Sequence, residues 1–342
     1  MATDSNGREP AALPVRTLGR SGVPVTALGF GAAAVAGLYQ DVGEEAAAAA
    51  VETAWDEGVR YFDTAPHYGL GLAERRLGTV LRSKPRDAFT LSTKVGRLLE
   101  PYDGGGDDLA NGFAVPATHR RRWDFSADGV HRSLEASLTR LGLDRVDLVL
   151  LHDPDDHERQ AFEEAYPALE DLRAQGVVRA IGAGMNRTRM LTRFLTDTDV
   201  DAVLCAGRYT LLEQGALQAL LPAAEGAGKS VIVGGVFNSG LLADPAPGAT
   251  YDYTAAPDDI LRRAVRMREV TEAHGVPLRA AALRFPFGHP AVASVLVGAR
   301  SAAQVRDAAQ QYRRPVPGGV WEALRRQDLL RDRVPIPEGD RS

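Results

Sequence analysis

The stretch YFDTAPHYG, from Tyr61 to Gly69, sets a carboxylate, Asp63, and a phenol, Tyr68, on either side of Pro66. Tyr61 and Phe62 start a short buried strand. Asp63 stands where the apolar run stops, and Tyr68 is presented on the loop beyond. Two later apolar runs end on further side chains able to do chemistry: FTLSTKV from Phe89 brings Lys94, and VDLVLLH from Val146 brings His152. A tyrosine near pKa 10 is a poor proton donor and acceptor at neutral pH unless a buried cation lowers it. Lys94 is the expected cation and Asp63 its counter-charge. His152, bonded to the same substrate oxygen, would orient a carbonyl or hydroxyl. Such a set suits proton transfer to an oxygen whose carbon exchanges a hydride with a bound cofactor. Taken singly, each has a structural alternative: Asp63 capping a turn, Tyr68 as an amphipathic surface residue, Lys94 snorkelling, His152 bonded to a backbone carbonyl in the core.

The elements that must position them follow an alternation. Short apolar runs begin at Leu28, Val59, Phe89, Val146, Val178, Val200, Ser230 and Ser294, eight in all. Between them lie helical patterns: Val130, Leu134, Leu138 and Leu141 share one face, and similar stretches cover 44–57, 161–175, 216–224, 258–272 and 302–311. Near-continuous apolar strands, each followed by an amphipathic helix, imply a parallel sheet covered by helices, and eight units imply an α/β fold closed as a (β/α)8 TIM barrel. A doubly wound open sheet is the alternative, against which the count weighs. Adjacent strands lie about 4.8 Å apart, so the ends of the second, third and fourth can converge on one point. VRTLG and VPVTALG around a glycine turn predict an N-terminal hairpin. Two connections, 96–126 and 237–257, are too long for bare βα loops and are expected to overhang the active site. The expected organisation is a poorly ordered tail over 1–14, one barrel domain over 15–335, and a C-terminal tail over 336–342. A final amphipathic stretch, 321–330, is expected to pack across one side.

The composition, 44% hydrophobic and 25% charged over 342 residues, is that of a globular protein with a large core. A net charge of −5 gives no electrostatic argument for nucleic acid or an anionic membrane. The basic run His119–Arg122 reads as a solvated loop. Cys205 is the only cysteine, so no intrachain disulfide and no cysteine-rich metal site is expected. No apolar run approaches the ~18 residues of a membrane span, and the N-terminus lacks a signal-peptide core, which makes a reducing cytoplasm the expected location. Gly69, Gly71 and Glu74 give only part of a dinucleotide-binding glycine pattern. In HDPDDH, 152–157, Pro154 breaks any regular ligand spacing. Asp155, Asp156 and His157 read as a solvated loop, and no metal is expected.

From Thr17 to Ala308 the chain resembles the aldo-keto reductase superfamily, through LGFGA, YFDTAPHYG, STKVGR, LGLDRVDLVLLHDPD, GVVRAIGAGMN and HPAVASVLVGARS. The resemblance implies an Asp, Tyr, Lys and His tetrad at Asp63, Tyr68, Lys94 and His152. GAGMN, RYTLL, FNSGLL and WDFS make it similar to the aldose dehydrogenase branch, the D-threo-aldose 1-dehydrogenase or L-fucose dehydrogenase type. That implies oxidation of an aldose at its anomeric carbon to a lactone with NADP or NAD, Tyr68 accepting the anomeric proton as phenolate. For the cofactor it implies Asn186 at the carboxamide. Phe237, Asn238, Ser239, Gly240 and Leu241 would wrap the pyrophosphate through backbone N–H groups. Gly298, Ala299 and Arg300 lie at a helix N-terminus suited to a phosphate, with Arg300 able to pair a 2′-phosphate. Ala206 and Gly234 stand where common reductases carry a glutamine and a stacking tyrosine, so the nicotinamide floor is built differently, with Phe237 a candidate. Gln304 replaces an arginine of many NADP-dependent members and leaves the choice of dinucleotide open. For the substrate, Trp123, Phe125, Tyr251 and Tyr253 could stack on a sugar, with Asp252 or Asn238 binding hydroxyls; alternatively these aromatics pin the long loops to the rim. The expected partner is a small molecule, and the expected state a monomer or weak homodimer. Two rivals stay open: an oxidoreductase of the same fold acting on pyridoxal or another carbonyl, and a cofactor-binding regulatory subunit without turnover.

Overall fold

A computed structural model describes residues 12–252 and 254–338. Eight parallel strands close a barrel: Leu28–Gly31, Tyr61–Asp63, Thr90–Val95, Leu148–His152, Ala180–Met185, Ala202–Ala206, Ser230–Gly234 and Val292–Gly298, with the eighth paired to the first. These are the eight apolar runs. A parallel strand is covered on both faces, so its residues are apolar without alternation, and that is the pattern the runs carry.

The hairpin Val15–Leu18 with Val23–Thr26 closes the N-terminal end. Its Leu18, Val23 and Val25 are buried with Tyr61, Leu148, Leu150, Leu204 and Ile232 in the barrel interior. Each such side chain contributes about 1.5–3 kcal/mol by leaving water. The interior is therefore a packed plug, and chemistry is confined to the opposite, C-terminal mouth.

The predicted helices are present as Glu44–Asp56, Ala127–Leu141, Tyr166–Ala174, Leu220–Ala227, Asp258–Ala273 and Ala302–Arg313. Three more complete the barrel at Leu72–Leu81, Thr188–Asp197 and Leu278–Arg284. The first escapes periodicity because two charged residues, Glu74 and Arg76, are buried in it. Glu74 accepts from Thr93 Oγ1 at 2.8 Å and from Arg140 Nε at 2.6 Å, tying two helices to the third strand. Helix Leu278–Arg284 buries five of its seven residues, which leaves no polar stripe to read. Gly318–Arg326 is the final helix, and the chain stays packed as far as Ile336, whose backbone lies against Gly288.

The connection 96–126 is not a bare loop. Arg97–Pro101 pairs antiparallel with His119–Trp123, and Asp107–Asp108 with Phe113–Pro116. The basic run expected to be a solvated loop is thus an edge strand. Arg120 lies over the Tyr102 ring, Arg121 pairs with Asp108, and Arg122 pairs with Glu100. No helix among the described residues is long and apolar enough to cross a membrane.

Candidate active site

Register brings the four strand-end residues together. Asp63 stands opposite Ser92, and Lys94 lies two residues further along that strand on the same face. Leu150 is opposite Lys94, which puts His152 one more interior position toward the mouth. A ladder of polar contacts rises from the plug: Tyr61 Oη to Ser92 Oγ at 3.1 Å, then Ser92 Oγ to Asp63 Oδ1 at 2.7 Å. Lys94 Nζ then donates to Asp63 Oδ2 at 2.6 Å and to the Thr64 carbonyl at 2.9 Å.

Tyr68 arrives from the loop after the second strand. Gly69 has φ of +56°, and a Cβ there would stand 2.5 Å from the Ala36 carbonyl oxygen, so only glycine allows the turn to lie against that backbone. The turn delivers the Tyr68 ring 4.8 Å from Lys94 Nζ and edge-on to His152, ring centres 5.7 Å apart.

Burial works against the charge on Lys94, but Asp63 and the Tyr68 phenol outweigh it and hold its pKa above that of a free lysine. Burial and then the charges of Arg97 and Lys94 push His152 far below the usual histidine range, so it is neutral. His67 is lowered to about 2 by burial and then by Arg97 and Arg121. Tyr68 departs from the sequence expectation: burial, which raises its pKa, exceeds the lowering by Lys94, so the phenol is protonated at neutral pH.

Four neighbours had no part in the site as read from the sequence, Arg121 falling in the basic run read as a solvated loop. Arg97, three residues past Lys94, pairs with Asp153 and lies 4.3 Å over the Trp123 ring. His67 packs its ring 5.4 Å from Phe113 and 5.7 Å from His152. Phe113, carried in by the excursion, also covers Tyr68 at 6.1 Å. Arg121 donates to the His67 carbonyl at 2.8 Å and binds the excursion to the Tyr68 loop. Proximity in sequence to Tyr68 and Lys94 was the only available signal for His67 and Arg97.

Several expected contacts are placed elsewhere. Phe125 is fully buried, clustered with the Trp123 and His157 rings and pressed against Gly96, so it pins the excursion and offers no face to a substrate. Trp123 remains 42% exposed. His157, taken as part of a solvated loop, belongs to this aromatic stack, and Asp155 faces Arg187 at 3.6 Å. Tyr251 donates its hydroxyl to Glu213 at 2.8 Å and Asp252 pairs with Arg208 at 2.9 Å, which ties the second long connection to the segment after the sixth strand. Tyr253 lies outside the described residues. Asn238 is buried; its amide accepts from Thr210 Oγ1 at 2.6 Å and donates to the Gly207 carbonyl at 3.3 Å. The backbone N–H groups of Asn238, Gly240 and Leu241 donate to Gly235, Phe237 and Asn238 carbonyls, so they close the turn and do not point at a pyrophosphate. Ser239 meets Tyr39, which also feels the charge of Arg300, so segments after the first, seventh and eighth strands meet on that rim.

At the eighth strand, Gly298 is exposed and Ala299 buried. Ser301 Oγ caps the last barrel helix by accepting from the Gln304 N–H, and Gln304 Oε1 accepts from the Arg300 N–H at 2.9 Å. The Gln304 carbonyl oxygen is therefore engaged by backbone. Asn186 is exposed at the end of the fifth strand. Continuing round the barrel from His152, the strand ends are its register partner Gly184, then Ala206 and Gly234. A Cβ at Gly184 would stand 3.7 Å from Lys94 Cε, and one at Gly234 3.7 Å from the Ala206 Cβ. A floor bare of long side chains beside a proton-transfer group fits a flat nicotinamide ring.

The aldo/keto reductase family model matches residues 27–326. The chain is 46% identical over 316 residues to a D-threo-aldose 1-dehydrogenase from a Pseudomonas species, covering 91% of this chain and 96% of that one. It is 40% identical over 334 residues to a pyridoxal 4-dehydrogenase from Microbacterium luteolum, covering 92% and 97%. An aldo-keto reductase from Bacillus halodurans, in its holo form, superposes with a TM-score of 0.74 at 27% identity over 94% of this chain and 98% of that one. The chain belongs to the aldo/keto reductase family, oxidoreductases that exchange a hydride between a nicotinamide cofactor and a small carbonyl or hydroxyl substrate.

Proposed function

We propose that this enzyme oxidises the anomeric carbon of an aldose to the lactone, with Tyr68, Lys94, Asp63 and His152 as its catalytic set. The observation that carries the reading is the buried Lys94–Asp63 pair, whose ammonium sits 4.8 Å from the Tyr68 ring beside a neutral His152. A bound nicotinamide supplies the hydride acceptor. The chain's residues handle the proton: Tyr68 Oη, as phenolate, takes it from the anomeric hydroxyl, while Lys94 holds the charge on that oxygen down. Asp63 fixes the ammonium and keeps the buried charge compensated. His152, uncharged, gives one hydrogen bond to the C1 oxygen without competing for its proton. Phe113 covers the ring of Tyr68 and shields this transfer from water.

The cofactor reading assigns Asn186 to the carboxamide, the Gly184, Ala206 and Gly234 floor to the ring, Phe237 to its edge, and the Gly298–Ser301 helix start to a phosphate. With Arg300 at hand for a 2′-phosphate and Gln304 engaged by backbone, that end suits NAD as well as NADP. The 46% identity to an aldose 1-dehydrogenase supports the sugar, and the 40% identity to a pyridoxal dehydrogenase supports pyridoxal as the second reading. We take the protein to act as a monomer or weak homodimer. Incubating the enzyme with NAD or NADP and an aldose labelled with 13C at C1 tests the reaction. Conversion of the C1 signal from hemiacetal to lactone carbonyl is expected; conversion of pyridoxal alone would replace the sugar.

A further inference from the structure

Among the buried polar atoms beside the tetrad with no hydrogen-bond partner among the described residues are Nε of Arg97 and Nδ1 of His67, two groups next to His152. Native interiors keep few such atoms, because each has given up water for nothing. Both belong to side chains held firmly in place. One amino group of Arg97 is taken by Asp153, and its plane lies 4.3 Å over Trp123. His67 is clamped through its carbonyl by Arg121 and through its ring by Phe113. Both lie next to His152: the His67 ring centre is 5.7 Å away, and Asp153, which holds Arg97, lies 3.6 Å from His152 Nε2.

A fixed cationic donor and an uncharged imidazole, able to donate or accept, beside the same His152 match the needs of a hydroxyl, which does both. His152 serves the oxygen on C1, so the next hydroxyl within reach of its neighbours is the one on C2. We propose that Arg97, assisted by His67, forms a subsite for the C2 hydroxyl of the substrate and thereby selects polyhydroxylated substrates over carbonyl compounds that lack a neighbouring hydroxyl. This rests on the aldose reading above. Arg97 is a specificity residue here, and Trp123 serves it by supporting the guanidinium plane.

The test compares kcat/KM for D-arabinose and for 2-deoxy-D-ribose, which lacks only the C2 hydroxyl, together with reduction of butanal. Wild type, Arg97→Met, and the double variant Arg97→Met/Asp153→Asn are measured; the double variant removes the charge that the single one would leave unpaired. Wild type is expected to favour D-arabinose by roughly 10- to 100-fold, the range of a hydrogen bond to a charged donor. Both variants should bring that ratio to within about threefold of unity, with D-arabinose oxidation falling further than butanal reduction. If the folded double variant keeps the wild-type ratio, or loses D-arabinose and butanal turnover equally, the inference is overturned and the aldose reading stands. If wild type reduces butanal but oxidises neither sugar, both fall together.

Discussion

Lys94 donates to Asp63 at 2.6 Å inside a barrel that leaves neither side chain more than 4% exposed. An ammonium and a carboxylate taken so far out of water are each expensive alone, and they persist because each is the other's counter-charge and the Thr64 carbonyl and Ser92 hydroxyl complete their bonds. The pair sets the Lys94 ammonium against Tyr68, whose pKa it lowers, with the Asp63 carboxylate acting against it.

Breaking that pair should separate stability from activity. Lys94→Met leaves Asp63 buried without its partner and is expected to cost about 3–5 kcal/mol in urea unfolding. Lys94→Met/Asp63→Asn should recover most of that stability and none of the activity. Recovery of turnover in the double variant would show that the lysine charge has no part in the chemistry.

The pH dependence follows from Tyr68, whose pKa burial raises despite Lys94. Sugar oxidation needs the phenolate, so kcat/KM should rise with pH from 6 through 9, whereas carbonyl reduction, which needs the phenol, should stay flat over that range. Replacing Lys94 by methionine removes the ammonium that lowers the phenol and should move the oxidation profile to higher pH. An oxidation profile flat over this range would contradict Tyr68 as the base.

Acid stability should be set by the two histidines. His67 is lowered to about 2 and His152 far below the usual range. Above pH 6.5 both are neutral in the folded and unfolded chain, and nothing is lost. As pH falls below 6.5 the unfolded chain takes up protons that the folded site refuses, so stability should fall by about 1.4 kcal/mol per pH unit for each histidine. His67→Phe should make the decline of the urea midpoint between pH 7 and 5 visibly shallower; an unchanged slope would mean that His67 is not held neutral.

The two aromatics of the excursion should behave oppositely. Phe125→Ala empties a fully buried site and is expected to cost about 3–5 kcal/mol with KM for the sugar unchanged. Trp123→Ala should cost about 1 kcal/mol of stability, the worth of its contact with Arg97, and raise KM severalfold. A KM effect confined to Phe125 would reverse their assignment.

The barrel and its tetrad were legible because both rest on local pattern. A strand covered on two faces must read as an apolar run, and a charged residue ending such a run must lie at the mouth, which located Asp63, Lys94 and His152. What stayed hidden depends on partners distant in sequence. Glu74 and Arg76 look like a polar helix face and are buried, because Arg140, Thr93 and Glu44 compensate them. Nothing in the sequence singles out Arg97 within the long 96–126 connection until Asp153 and Trp123 are brought beside it. Phe125 and Trp123, two residues apart, are chemically alike, and only the fold shows that one faces Gly96 and the other water. Asn238 offered an amide suited to hydroxyls, but Thr210 takes it. Composition can nominate such residues; register and packing decide which way they point.

The most direct test of the account is absorbance at 340 nm with purified enzyme, NAD or NADP, and L-fucose, L-galactose, D-arabinose or pyridoxal, with Tyr68→Phe run beside wild type. The account predicts turnover of at least one aldose by wild type and a loss of about 10²- to 10⁴-fold in the variant, the usual worth of a positioned acid–base group. Aldose turnover that survives in Tyr68→Phe, or an enzyme that oxidises pyridoxal and no aldose, would contradict it.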